Sequence, residues 1–491
     1  MHDQRKVRPH NIGEKAREQQ LEKIRQFTTL YDSLLERRSR RVYEESILPQ
    51  LAELLTKNAE AYTMFNYRRE VLLDLWRKMP EAAACETVAA PEAVKGEEKR
   101  QQSVVKTQLD WLSEELKLSS SIIQSDYKVY AAFVHRRWVF MQLRRLAESA
   151  LGNVGKRSKP AAPAGCQLGE CAAAGEFDLP EEVIFWAKAL LKEKRQGDAL
   201  LAMDERNFHA WEFRRWVMYQ LGQMEDLFVQ SSIQFGPAVV GIKEREFASY
   251  MNGSAKSDRP RDLFFTPTEV KELNFTSAAV RRNFSNYSAW HQRGFIMQGA
   301  LRRLQQRQWR EEEADNNLRD GMLSQAWGQL EEDLTLLTTA IYCDPLDQSA
   351  WYYAKFLIHA SKQLTALPFA STAVPIDITA KLDEVCLDLV GEERRLGEDM
   401  ETYWPYLHLA TSLLTSIKKS NDGNSSDVIS DRQSALKLAR EVWAALQPQG
   451  RHVNGDDDCI KCLQELCAHL TTADPLRAGM YKYFLSEVTT A

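Results

Sequence analysis

The sequence of 491 residues lacks the patterns that define several large classes of protein. It contains no run of about 18 apolar residues, so we expect no transmembrane segment. Residues 1–8 are polar and lack the apolar core of a signal peptide. The net charge is only −5, from 64 basic and 69 acidic residues, which indicates no affinity for nucleic acid.

The sequence also lacks familiar catalytic and structural signatures. A phosphate-binding Gly-x-x-x-x-Gly-Lys-Ser/Thr loop, a His-Glu-x-x-His zinc motif and a Gly-x-Ser-x-Gly elbow are all missing. Eight cysteines in a chain of this length indicate a reducing, cytoplasmic setting rather than a disulfide scaffold. Strand-like alternation of polar and apolar residues is almost absent. We therefore expect an all-α protein with no obvious catalytic apparatus of its own.

What the sequence does contain is a repeat. Residues 207–216 read Asn-Phe-His-Ala-Trp-Glu-Phe-Arg-Arg-Trp, and residues 286–293 follow the same pattern. Looser copies occupy residues 61–69, 129–137 and 347–353, and a worn sixth copy centres on Trp404. Tandem copies of this kind are typical of stacked helix pairs, because one pair cannot bury its apolar face alone.

Within each copy, the residue types at fixed positions indicate a helix. A large aromatic residue serves as the reference position, occupied by Phe65, Phe133, Trp211, Trp290 and Trp351. An arginine follows three positions later, as Arg68, Arg136, Arg214 and Arg293. Good N-cap residues stand four positions earlier in three copies, as Asn207, Asn286 and Asp347. Each copy is therefore predicted to be the second helix of a helix hairpin.

The third copy illustrates the expected hairpin. Its first helix is predicted over residues 177–196, and Gly222 is predicted to end its second helix. Reference aromatics lie further apart than the roughly 34 to 45 residues of a bare helix pair. We therefore predict a flexible basic tail over residues 1–12, then a solenoid of about six or seven helix pairs over residues 13–491. Insertions are predicted near residues 81–98, 151–175, 235–267, 305–320 and 418–430.

Three longer motifs carry a resemblance to a known family. They are residues 204–211 (Asp-Glu-Arg-Asn-Phe-His-Ala-Trp), residues 282–291 (Arg-Asn-Phe-Ser-Asn-Tyr-Ser-Ala-Trp-His) and residues 344–351 (Asp-Pro-Leu-Asp-Gln-Ser-Ala-Trp). In this order they resemble the α subunits of the protein prenyltransferases, and among these most of all the Rab geranylgeranyltransferase α subunits. Phe65 and Phe133 depart from the pattern, since a tryptophan is usual there. The farnesyltransferase α subunit shares the repeat but matches these motifs less well.

The resemblance implies a fold, an activity and partners. It implies a right-handed α-solenoid that clasps a separate β subunit, which holds zinc and the lipid pocket; this chain itself would hold no cofactor or metal. The heterodimer would transfer geranylgeranyl from geranylgeranyl diphosphate to C-terminal cysteines of Rab GTPases, presented by a Rab escort protein. By position, Lys128, Tyr130 and His209 match family residues near the diphosphate.

A physical argument supports the same three residues. In a solenoid the second helices run roughly parallel, so their N-termini share one edge, and helix N-termini favour anions. A lysine charge and a phenol hydroxyl at that edge could hold a departing diphosphate. The alternatives are a solvated surface lysine at Lys128, a packing role for Tyr130, and a capping or structural role for His209. Arg214 and Arg293 are expected to pair with acidic groups.

Two other signals invite metal chemistry. The spacing Cys459-x-x-Cys462, with Cys467 and His469 following, suits zinc, but it also suits one face of a helix, and we favour buried core cysteines. Cys166 and Cys171 lie in the predicted insertion and have less support. His2, on a mobile tail, is a hypothetical blocker of the β subunit's zinc.

Two further functions remain open at this stage. The chain could be the shared α subunit of farnesyltransferase and geranylgeranyltransferase type I. It could also be a helical-repeat scaffold without a catalytic role.

Overall fold

The structure, a computed structural model, describes residues 14–79, 91–157, 180–235, 263–309, 313–369, 376–396, 402–421, 428–446 and 455–489. Within these ranges every regular element is a helix, which confirms the all-α prediction. The predicted tail at residues 1–12 lies outside them, as do His2, Cys166 and Cys171.

The helices fall into two compact units, drawn from residues 1–252 (unit 1) and 253–491 (unit 2). Unit 1 contains α1 (Glu14–Ser39), α2 (Ile47–Lys57), α3 (Tyr62–Lys78), α4 (Pro91–Ser125), α5 (Tyr130–Arg157), α6 (Glu181–Met203) and α7 (Phe208–Phe235). Unit 2 contains α8 (Pro267–Arg282), α9 (Tyr287–Gln306), α10 (Glu313–Cys343), α11 (Gln348–Thr365), α12 (Ile378–Leu396), α13 (Trp404–Asn421), α14 (Val428–Leu446), α15 (Asp456–Ala473), a 3₁₀ turn (Pro475–Arg477) and α16 (Ala478–Thr489).

Consecutive helices pack as antiparallel pairs in both units. In unit 1 the pairs are α2–α3, α4–α5 and α6–α7, and second helices also pack on one another, α3 on α5 and α5 on α7. In unit 2, α9 packs on α11, while α10 packs on α12 and α12 on α14. Seven helix pairs occur in the described residues, so the predicted solenoid of helix hairpins is confirmed.

The reference aromatics all lie in the core. Their exposed fractions are 3% or less, because the first turn of each second helix faces the neighbouring pair; they are Phe65, Phe133, Trp211, Trp290 and Trp351. Each of the three indole N–H groups donates to a loop carbonyl six residues earlier, at 2.8 to 2.9 Å. Phe65 and Phe133 fill the same positions without that hydrogen bond.

The loops inside the first five pairs share one construction. Each loop has four residues, 58–61, 126–129, 204–207, 283–286 and 344–347. The first residue of each is Asn or Asp, whose side-chain oxygen accepts a hydrogen bond from the amide two residues later at 3.0 to 3.1 Å; these are Asn58, Asp126, Asp204, Asn283 and Asp344. Such side-chain turns end one helix and begin the next with a fixed geometry.

The predicted N-caps are confirmed. Asn207 accepts from the amides of His209 and Ala210, both at 3.1 Å. Asn286 accepts from the amide of Ala289 at 3.1 Å, and the Asp347 carboxylate accepts from a first-turn amide at 2.9 Å. Each cap satisfies an amide that the helix itself leaves without a partner.

Two predicted helix ends are wrong. The first helix of the third pair ends at Met203 rather than at residue 196, and the second helix continues past Gly222 to Phe235. A glycine inside a helix costs only about 1 kcal/mol relative to alanine. Leu201 and Met224 are buried just beyond the two predicted ends, and their burial outweighs that cost.

Two helices begin inside segments that the sequence suggested as insertions. Helix α4 begins at Pro91, within residues 81–98, and α10 begins at Glu313, within residues 305–320. Proline is well suited to a first helical position, since its missing N–H would have no partner there. The insertions predicted near residues 151–175, 235–267 and 418–430 fall partly outside the described residues.

The repeat arginines join neighbouring helices, as expected. Arg68 of α3 binds both carboxylate oxygens of Glu115 on α4, with each N–O distance 2.6 Å, and also donates to the Leu48 carbonyl of α2. His135 of α5 lies 2.9 Å from the same carboxylate through its Nε2 atom. Arg68 therefore connects three successive helices, α2, α3 and α4.

The corresponding joint in unit 2 uses Arg293 of α9. Its Nε atom is 2.6 Å from the carboxylate of Asp333 on α10, and its Nη1 atom donates to the Leu273 carbonyl of α8 at 2.9 Å. The Tyr353 hydroxyl of α11 donates to the other oxygen of Asp333. The remaining two repeat arginines pair with acids on α6, Arg136 with Glu193 and Arg214 with Asp198.

Candidate functional site

The loops of the second and third pairs lie side by side at one edge of unit 1. The side-chain amide of Asn207, in the loop 204–207, donates to the backbone carbonyl of Tyr127, in the loop 126–129, at 2.9 Å. The same side chain caps α7 through its oxygen. Asn207 is buried, so this double contact fixes the start of α7 against the residue that precedes Lys128.

Lys128 extends from the second loop to the third. Its Nζ atom lies 3.1 Å from Oδ2 of Asp204, and both side chains remain partly exposed. The hydrogen bond to Asp204, together with that carboxylate's charge, raises the pKa of Lys128. Lys128 is therefore an exposed, charged residue that forms an ion pair at this edge.

Tyr130 and His209 are neighbours at the first turns of α5 and α7. Their ring centroids are 5.7 Å apart, and the His209 ring also stacks on Phe133 at 6.3 Å and contacts Phe208 at 3.9 Å. The Tyr130 side chain is 42% exposed. One face of its ring thus packs against His209 while much of the residue remains accessible.

His209 is held in its neutral form. Burial lowers its pKa and the charge of Lys128 lowers it further, while the carboxylates of Glu212 and Glu60 act in the opposite direction. Its buried Nδ1 atom has no hydrogen-bond partner in the described part of the chain. The backbone amide of His209, not its ring, takes part in capping α7. The ring contacts of His209 with Phe133 and Phe208 are those of a residue with a structural role.

The start of α5 differs from the start of α7. Val129 precedes α5 and has no side-chain acceptor, and Ala61 before α3 likewise gives no side-chain cap. First-turn amides that are not capped retain partial positive charge. This edge therefore combines helix N-termini, the Lys128 ammonium and the Tyr130 hydroxyl, which is a set of groups suited to a multiply charged anion.

Acidic groups balance this edge in part. Asp204 holds Lys128, and Glu212 pairs with Arg137 at 2.8 Å. Glu60, in the first loop, is close enough to influence both His209 and Tyr62. An anion that binds here must compete with Asp204 for Lys128, and a diphosphate carries more charge than a single carboxylate.

The structure brings the three predicted site residues together, but the sequence did not reveal what holds them. Asp204 stood in one of the three motifs, yet its pairing with Lys128 across a whole helix pair has no sequence signal. The hydrogen bond from Asn207 to the Tyr127 carbonyl could not be predicted from the sequence either, because every residue type has a backbone carbonyl. Glu115, Glu193 and Asp333 could have been found as acids on otherwise apolar helix faces.

The cysteine motif near the C-terminal end lies in the core of unit 2. Cys459, Cys462 and Cys467 are all buried on α15, as helical spacing predicted. Burial raises the pKa of Cys459 and of Cys467 to about 11, so these thiols stay protonated at neutral pH. His469 packs on the ring of Tyr406 at 4.2 Å. Within the described ranges, no group of three or more His, Cys, Asp or Glu side chains is placed to hold a metal ion.

Comparison with known proteins gives the class of protein. The protein prenyltransferase alpha subunit repeat matches residues 112–143, 197–221, 270–300 and 330–361. The matched stretches run across the loops and the second helices described above. The chain is therefore similar to proteins built from this repeat over these four stretches.

Individual relatives are similar over longer stretches of the chain. The chain is 23% identical over 478 residues to the geranylgeranyl transferase type-2 subunit alpha of Candida albicans, covering 96% of this chain and 94% of the relative. It is 25% identical over 374 residues to the protein of the same name from Sus scrofa. That match covers 75% of this chain but 43% of the longer pig protein, so the chain spans less than half its length.

A solved structure aligns with most of the chain. The Candida albicans protein geranylgeranyltransferase-I complexed with GGPP gives a TM-score of 0.44 and 14% identity, covering 94% of this chain and 91% of that one. That score is too low to support a conclusion. None of the described helices has the length and apolar character needed to cross a membrane.

Proposed function

We propose that this chain is the α subunit of a heterodimeric geranylgeranyltransferase of type 2. The heterodimer transfers geranylgeranyl from geranylgeranyl diphosphate to C-terminal cysteines of Rab GTPases, which a Rab escort protein presents. In the transfer, the cysteine sulfur forms a bond to the first carbon of the lipid. The bond from that carbon to the diphosphate oxygen breaks, and diphosphate leaves with the electron pair. A β subunit supplies the lipid pocket and the zinc that holds the thiolate.

The observation that carries this proposal is the Lys128 ammonium beside the uncapped start of α5, with Tyr130 next to it. Negative charge grows on the diphosphate as it leaves. Groups fixed in advance near that charge stabilise the transition state without reorganisation. In this proposal Lys128 and the Tyr130 hydroxyl bind the leaving diphosphate, and neutral His209 orients Tyr130 through ring contact.

Reconstitution tests the proposal as a whole. The chain is co-expressed with candidate prenyltransferase β subunits, and geranylgeranyl transfer to a Rab is measured with and without escort protein. We expect a stable pair that modifies the Rab only when both subunits and escort protein are present. A pair that modifies C-terminal CaaX substrates without escort protein would indicate the shared α subunit instead. Absence of any partner and activity would leave a helical-repeat scaffold.

The variant Lys128→Ala tests the role of the ammonium. We expect kcat to fall about 10- to 100-fold with little change in KM, because the contact strengthens as charge develops on the leaving group. The matched control is Lys117→Ala on α4, which also removes an exposed ion pair, to Glu114 at 2.7 Å. Equal activity of the wild-type and Lys128→Ala enzymes would show that Lys128 takes no part.

The variant Asp204→Asn tests the competition for Lys128. Asparagine keeps a side-chain oxygen for the turn contact with the Arg206 amide but removes the charge that holds Lys128. We expect product diphosphate to inhibit about 2- to 5-fold more strongly, the range expected for release of an exposed ion pair. Weaker inhibition would show that Asp204 aids diphosphate binding rather than opposing it.

A further inference from the structure

Unit 2 carries a surface on which two cations lie against aromatic rings, at residues that the proposed diphosphate site does not use. The Nζ atom of Lys355 on α11 is 5.8 Å from the centroid of the Tyr352 ring and 5.5 Å from that of Trp404. The guanidinium carbon of Arg477 is 5.2 Å from the Tyr403 ring and 5.8 Å from the Trp404 ring. We call this the Lys355 surface.

The charges on the Lys355 surface do not balance. Asp474 pairs with Arg477 at 2.6 Å and accepts a hydrogen bond from Tyr481 at 2.7 Å, so one cation is compensated. Lys355 forms no ion pair in the described part of the chain, and no acidic group influences its pKa. Burial of its ammonium lowers the pKa of Lys355, and the positive charge of Arg477 lowers it further. An ammonium that is partly desolvated beside another cation favours an added anion.

One of the cations at the same repeat position in unit 1, Arg137, is compensated by an acid. Lys355 stands four residues after its reference aromatic, where unit 1 has Arg137. Arg137 reaches the next second helix and pairs there with Glu212 at 2.8 Å. In the repeat that follows Lys355, Pro405 stands where Glu212 stands in its own repeat. The carboxylate that completes the Arg137 contact therefore has no counterpart at the Lys355 surface in the described part of the chain.

Exposed apolar side chains belong to the Lys355 surface. Leu476, next to Arg477, is 96% exposed, and the Tyr352 side chain is 45% exposed. Aromatic, arginine and exposed aliphatic groups around a central charge are typical of surfaces that bind another protein. An exposed leucine makes no favourable contact with a small free anion, so its presence favours a protein partner.

We propose that the Lys355 surface receives an acidic side chain of the prenyltransferase β subunit, with Leu476 and Tyr352 packing against apolar residues around it. This rests on the proposed function for the identity of the partner. The partner's carboxylate takes the place that Glu212 holds beside Arg137, and Trp404 forms the wall behind it.

The experiment measures how fast labelled β subunit exchanges into preformed heterodimers. Lys355→Glu places like charges together, so we expect exchange about 10-fold faster or more, as for close charge pairs at interfaces. Lys355→Met keeps the apolar stem and removes the charge, and we expect about a 3-fold increase. Added salt should narrow both differences, since it screens the pair. The matched control is Lys362→Glu on the same helix, also exposed, which should stay within about 2-fold of the wild-type rate.

Stability of the free chain separates binding from folding. Lys355 forms no ion pair in the described part of the free chain. The Lys355→Met variant of the free chain should therefore unfold at nearly the same temperature as the wild type. Equal exchange rates for all variants would overturn the proposal, as would a parallel loss of stability in the free chain. So would binding of inorganic phosphate that depends on Lys355 while exchange stays unchanged, which would identify a small-anion site. If the wild-type chain forms no pair with any β subunit, the proposed function itself fails, and this proposal fails with it before any variant is compared.

Discussion

The joints built around Arg68 and Arg293 have the same arrangement of contacts and differ in one residue. Each arginine binds an acid on the first helix of the next pair and a carbonyl on the first helix of its own pair. The third member comes from the second helix of the next pair, two residues after the reference aromatic. It is His135 in unit 1 and Tyr353 in unit 2.

This difference changes how each joint responds to protons. The Tyr353 hydroxyl donates to Asp333, and burial together with the Asp333 charge raises its pKa well above the usual range, so the contact holds at any ordinary pH. His135 is different. Its Nε2 atom faces Glu115, while its Nδ1 atom accepts from Arg69 at 3.2 Å, so a second ring proton would meet an N–H donor. The Arg293 joint should therefore tolerate acid, whereas the Arg68 joint should weaken when His135 is protonated.

Removing either arginine should produce the largest effect. Arg293→Met leaves Asp333 buried without its charged partner, and Arg68→Met does the same to Glu115. We expect each variant to lower local stability by about 3 to 5 kcal/mol, the loss typical of a broken buried pair. Hydrogen exchange of the helices in the affected unit measures it. Arg432→Met, which removes an exposed pair with Asp456, is the control and should change stability far less. Comparable losses in all three would refute a special role for the repeat arginines.

Removing the Tyr353 hydroxyl should give an intermediate effect. Tyr353→Phe deletes the hydrogen bond to Asp333, which still keeps Arg293 and the Gln329 amide at 2.9 Å. We expect a loss of about 1.5 kcal/mol, at the lower end for hydrogen bonds to charged groups. Urea unfolding, followed by hydrogen exchange in α10 and α11, measures the loss. An unchanged free energy of unfolding would show that the hydroxyl is dispensable.

Acidification should give the smallest effect and, of the two joints, should weaken only the one that contains His135. Burial lowers the pKa of His135, and the charges of Arg69 and Arg68 lower it further, against the opposing effect of Glu115. The unfolded chain, with an ordinary histidine pKa near 6.5, then binds more protons than the folded chain just below that pH. Stability from this group is complete above about pH 6.5. It falls as the pH drops towards the folded pKa, by at most about 1.4 kcal/mol per pH unit.

A variant isolates this pH effect. His135→Tyr copies the unit 2 joint and should reduce the slope between about pH 6.5 and the lower pKa of the folded chain, leaving the contribution of His209. Local exchange rates of α4 and α5, recorded at several pH values in both chains, provide the test. Persistence of the slope in His135→Tyr would assign it to another group.

The sequence was sufficient for features that depend on residue type at fixed spacing. The buried reference aromatics and the caps at Asn207 and Asn286 follow from local rules that one helix can satisfy. It was insufficient where the partner is a backbone atom or lies a whole helix pair away. The Asp204 contact with Lys128 and the Glu115 contact with Arg68 both depend on how two helix pairs stack. The helix that contains Gly222 continues past it because residues further along, such as Met224, are buried. The roles of Lys128, Tyr130 and His209 in a reaction remain proposals, whereas their proximity is observed.

The four-residue loops determine where this chain can accept added length. Between pairs, the number of residues that separate one described helix from the next differs widely, from 6 (307–312) to 31 (236–266). Within the first five pairs the loops are all of one length, and in the third the capping side chain also holds the preceding loop. An epitope tag or a fluorescent domain is therefore better placed between pairs than within one. An insertion made between pairs leaves the four-residue loops at the Lys128 edge unchanged.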